Sequence, residues 1–64
     1  MKIGDRIIVV DYGIQVEGVI LDTAPYSAFP AMAGQEGTMY LVKSDEWLGN
    51  QTWLTEDKIK EIEQ

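Results

Sequence analysis

The chain has no cysteine and no histidine. The first absence excludes disulfides and thiolate metal sites. The second removes the commonest general base and the commonest neutral metal ligand. Basic residues are also scarce, five Lys and Arg against eleven Asp and Glu, for a net charge of −6. Proteins that bind nucleic acid or anionic membrane surfaces carry the opposite balance, because Lys and Arg must displace counterions from phosphate. Neither mode of binding is expected here. No run approaches the roughly 20 apolar residues of a membrane span. The opening Met1-Lys2-Ile3-Gly4-Asp5 has no signal-peptide pattern, so a cytoplasmic location is expected.

What is present reads as one domain over residues 1–64, with an ordinary apolar fraction of 45%. A chain this short buries only about 60% of its unfolded surface. Without disulfide or metal staples, its stability must come from packing or self-association. The acidity fits plain solubility. It also fits, less closely, a basic protein partner, or mimicry of nucleic acid towards a DNA-binding protein.

Strand signals dominate. Arg6-Ile7-Ile8-Val9-Val10 follows the turn pair Gly4-Asp5, and its four consecutive β-branched residues favour a strand over a helix. Gln15 to Leu21 is a second strand with Gly18 in its interior, where a bulge, a bend or a close backbone approach is expected. Thr38 to Ser44 and Gln51 to Leu54 are the third and fourth, joined through a Gly49-Asn50 hairpin turn. The tail reads as a 3₁₀ turn from Thr55 leading into a short strand at Ile59, although a helix with Thr55 as N-cap also fits.

Taken together, Ile3-Gly4-Asp5-Arg6-Ile7-Ile8-Val9, Gly18-Val19-Ile20, Tyr40-Leu41-Val42-Lys43, and Trp53-Leu54 ahead of an acidic turn and Ile59 resemble the SH3-like small-barrel superfamily. That superfamily includes Tudor-like and KOW domains, small accessory subunits and short phage proteins. The resemblance implies a mainly all-β fold, a small closed barrel of four to five short strands. It also implies a long loop between strands 2 and 3 and a C-terminal 3₁₀ or helical turn. It implies no single activity. One branch, the small plasmid-borne dihydrofolate reductases, builds a tetramer whose central pore binds NADPH and dihydrofolate. Gln51 matches that family's pore strand, Thr52 and Trp53 replace its aliphatic residue and tyrosine, and its pore lysine has no counterpart.

Residues 23–37 are the unexpected segment, long for so small a domain. They hold Tyr26, Phe29 and Met32 among Ala24, Ala28, Ala31 and Ala33. These side chains either cap an open end of the barrel or form a contact surface for a partner. The strands raise a related question. Ile7 to Val10 and Val19 to Leu21 are apolar at consecutive positions, so both faces require cover. The long loop, the C-terminal segment or another copy of the chain would supply it, and a homo-oligomer is one expectation.

Trp53, in a strand, is expected in the core. Trp47, between Asp45-Glu46 and Leu48-Gly49, is expected in a loop where it could contact a peptide or basic residue. Tyr12, Tyr40 and Trp47 would make an aromatic cage for an alkylated cation only if their rings converge. The carboxylates Asp45-Glu46, Glu56-Asp57, Glu61 and Glu63 fit neither a metal loop nor an acid–base dyad. Gly34-Gln35-Glu36-Gly37 lacks the lysine of a phosphate loop.

The expected function is therefore a non-enzymatic interaction module without metal or cofactor, an accessory or regulatory protein of a phage, plasmid or other microbial genome. It would bind a protein partner, a basic one by charge, through Tyr26, Phe29, Met32 and Trp47 and an acidic surface. The reductase and the nucleic-acid mimic are the alternatives.

Overall fold

A computed structural model describes residues 1–11, 13–48 and 50–62. Tyr12, Gly49 and Glu63 of the readings above lie outside the described residues. The β-branched run forms β1, Arg6–Asp11, followed by β2, Ile14–Pro25. Next come β3, Thr38–Lys43, and β4, Gln51–Thr55. A 3₁₀ turn at Glu56–Lys58 then leads into β5, Ile59–Glu61, so the tail is a turn plus strand and not a helix.

The five strands make one antiparallel sheet in the order β4-β3-β2-β1-β5. The sheet is open. This corrects the SH3-like barrel expected from the resemblance, whose all-β content and strand number stand but whose closure does not. β4 and β5 are the two edges, and among the described residues no ladder joins them. Closure needs strands long and bent enough to bring the edges together. β5 has three residues, all spent on pairing with Ile7, Ile8 and Val9 of β1. The only register shift in the ladders among the described residues falls between Ile20 and Asp22.

β2 is longer than the sequence predicts. It continues through that shift to Pro25, so the connecting segment begins at Tyr26. Its first half pairs with β1 and its second half with β3, and the two ladders overlap only at Val19. Just before the overlap, Gly18 answers to the third of the roles expected of it, the close approach. A methyl group there would lie 2.8 Å from Cγ1 of Val42 and 2.9 Å from the Lys43 carbonyl oxygen. Any side chain at this position would push β2 and β3 apart.

Strand alternation then sorts the apolar residues onto two faces. The inner face carries one cluster of buried side chains, Ile7, Val9, Ile20, Tyr40, Val42 and Ile59, with Val16, Trp47 and Leu54 packed against it. Full burial of each such aliphatic side chain contributes about 1.5–3 kcal/mol. Ser44 is the one buried polar residue among those described, and it is satisfied. Its Oγ donates to the Glu17 carbonyl at 2.8 Å and accepts from the Glu46 N–H at 3.2 Å. That pair of bonds ties the β3–β4 connection to β2.

Candidate functional site

The outer face is read from the ladder register, since directly opposed residues share a side. Ile8 lies between Lys60 and Glu17, and Val19 lies between Arg6 and Lys43. Further along, Leu41 lies between Asp22 and Trp53, and Met39 between Ala24 and Thr55. Trp53 therefore faces outward, away from the cluster where a strand tryptophan was expected.

Residues 26–37 fold over this second pair of rows. Two 3₁₀ turns, Tyr26–Ala28 and Pro30–Met32, order the segment. The Pro30 ring presets the backbone for the second turn. Phe29 sits between the turns, and its ring meets Trp53 edge-on, with centroids 5.2 Å apart and an interplanar angle of 64°. Such edge contacts place the positive rim of one ring against the negative face of the other. The Tyr26 N–H donates to the Gly37 carbonyl at 3.0 Å and closes the segment at its base. Gly37 has φ +150°, and a methyl group there would lie 2.8 Å from the Tyr26 ring. Met39, which is outside the inner cluster, is nevertheless only 8% exposed.

The two readings of this segment, core cap and contact surface, thus share the same residues. Tyr26, Phe29 and Met32 are all half-buried, and Pro30, Ala31 and Ala33 to Gly37 are exposed around them. Trp47 is placed apart from the three. It is half-buried at the end of a 3₁₀ turn, Asp45–Trp47, and packs against the inner cluster. The structure therefore brings Phe29 to Trp53 and does not bring Trp47 to the same patch. Tyr40 is buried in the cluster and cannot serve as an exposed cage wall.

Electrostatics converge at one end of the sheet. Burial, followed by the charges of Glu56 and Glu61 and then Tyr26, holds the Tyr40 phenol above its ordinary value of 10.0, with Thr38 acting the other way. Glu56 Oε1 accepts from the Thr38 N–H at 3.0 Å and joins the turn before β5 to the start of β3. Among the described residues no group of three acids could hold a metal ion, and no helix is long and apolar enough to cross a membrane. Gln51, the pore-strand match to the reductases, and Thr52, which departs from it, are exposed on edge strand β4, while Trp53 meets the Phe29 ring.

Leu48 was missed by the sequence reading. It is 93% exposed and has φ 56°. An isolated leucine in the left-handed region is uncommon and marks a constrained position. The only signal in the sequence was its place just before the turn pair Gly49-Asn50. No family model, no curated protein and no solved structure matches the chain.

Proposed function

We propose that this chain is a non-enzymatic interaction module whose partner is a protein with a basic contact surface. The observation that carries the reading is the segment 26–37. It is an apolar surface held in shape by two 3₁₀ turns and the Phe29–Trp53 contact, yet left half open to solvent. A surface already ordered loses less conformational freedom on binding. Tyr26, Phe29 and Met32 supply the adaptable and aromatic contacts that concentrate binding energy. The net charge of −6 would steer a basic partner and speed its association at low salt.

A photo-crosslinking residue at Met32, with a second at Gln15 as control, tests this in cells of the native host. One basic protein should crosslink through position 32 and not through position 15. Equal crosslinking from both positions, or none, overturns the reading.

A further inference from the structure

An open sheet has two edges, and here they differ. β5 is three residues long, and two of them, Lys60 and Glu61, are charged. Glu61 also forms an ion pair with the Met1 amino group at 3.1 Å. Short length and charge are the usual guards against an added strand. β4 has none of these. Gln51-Thr52-Trp53-Leu54-Thr55 is uncharged, has no proline, and keeps an unbroken register with β3. Its residues are largely β-prone. Among the described residues no strand lies on its far side.

Two further features surround that bare edge. At its start is a groove of about 410 Å³ lined by Glu46, Trp47, Leu48, Asn50, Gln51 and Thr52. Exposed acids also bracket the strand, Asp45 and Glu46 before it and Glu56 and Asp57 after it.

We propose that β4 is a strand-addition site for an extended segment of a partner protein, one with an uncharged β-prone centre and Lys or Arg on both flanks. This rests on the interaction reading above and names its mode. The backbone groups of the edge supply main-chain hydrogen bonds, and the groove takes one apolar side chain against Trp47 and Leu48. The acids decide the occupant. A second copy pairing antiparallel with β4 would bring the end of each chain that carries Glu56 and Asp57 to the end of the other that carries Asp45 and Glu46. Like charges would meet at both ends, which rejects self-pairing. A basic-flanked segment meets opposite charge at the same two places.

The test uses the intact chain and a synthetic peptide with a Thr-Val-Thr-Val-Thr centre and Lys-Arg at each flank. Its counterpart carries Glu-Glu at each flank. Amide exchange and chemical shifts read where each peptide binds. The basic peptide should slow exchange across Gln51 to Thr55 and bind about tenfold more weakly when salt is raised well above physiological strength. The Glu-flanked peptide should not bind. Thr52→Lys, at an exposed position, should weaken binding about tenfold with an unchanged melting temperature, since a lysine there both guards the edge and repels the peptide. Lys60→Thr on the other edge should leave binding unchanged. No binding, equal binding of both peptides, or protection centred on β5 overturns the proposal. Protection centred on residues 26–37 overturns it too, while leaving the interaction module standing. Loss of the position-32 crosslink with β4 binding intact would instead overturn the contact role of residues 26–37 and leave strand addition standing.

Discussion

The two halves of the outer face meet the same difficulty in different ways. In each, strands that are apolar on both sides leave a face that the inner cluster cannot cover. Over β3 and β4, the rows through Leu41 and Met39 are covered by a dedicated segment of chain, with Phe29 on Trp53 and Met39 nearly sealed. Over β1 and the first half of β2 there is no such segment among the described residues. Ile8 sits between Lys60 and Glu17, Val19 between Arg6 and Lys43, and both apolar side chains are half-buried. Arg6 also pairs with Glu17. Long charged side chains lay their aliphatic stems over apolar neighbours while their heads stay in water. Three of the five basic residues, Arg6, Lys43 and Lys60, lie directly opposite these apolar residues in the ladders. One half thus takes chain for its cover, and the other has only long charged side chains as its ladder neighbours. Only the first creates an apolar surface that can be offered to a partner.

Met39→Ala is the strongest way to break this contrast. Removing a buried methionine leaves a cavity and should destabilise the chain by about 2–4 kcal/mol in urea unfolding. A loss below about 0.5 kcal/mol would mean that the segment gives Met39 no real cover.

Phe29→Ala should cost less, about 1–2 kcal/mol, because the ring is half-buried and forfeits part of its packing and the edge contact with Trp53. Exchange should quicken at 26–37 and leave β1 and β5 protected. Global unfolding would instead make Phe29 part of the core.

Ile8→Thr sharpens the other side of the comparison. Cover by charged stems predicts a change within about 0.5 kcal/mol and an unchanged sedimentation coefficient. A loss as large as that at Met39, with a fall in molecular mass, would show that a second copy covers this half.

Much of the fold was legible for a physical reason. β-branched runs broken by Gly, Asp and Asn specify strands locally, and the positions of β1, β3 and β4 follow from them. The short turn and strand at the tail were legible too. The end of β2 was not. Asp22-Thr23-Ala24-Pro25 carries no strand signal, and it is extended because Thr38 to Leu41 lies alongside as its ladder partner. The candidate contact residues show the same division. Tyr26, Phe29 and Met32 stood out in the sequence by chemistry. Sequence periodicity could not place Trp53 on the outer face beneath Phe29, because that depends on which neighbour β4 pairs with. Leu48 stood out only once its backbone angle and exposure were visible.

By itself the sequence determined the strand content, the excess of negative charge and the presence of an aromatic insertion. Each of these is a property of residues and their near neighbours. Tertiary structure alone decided that the sheet stays open, that β4 rather than β5 is the unguarded edge, and that the insertion lies over the outer face. Those outcomes depend on pairing between strands distant in the chain, and pairing register is a property of two segments that neither one encodes alone.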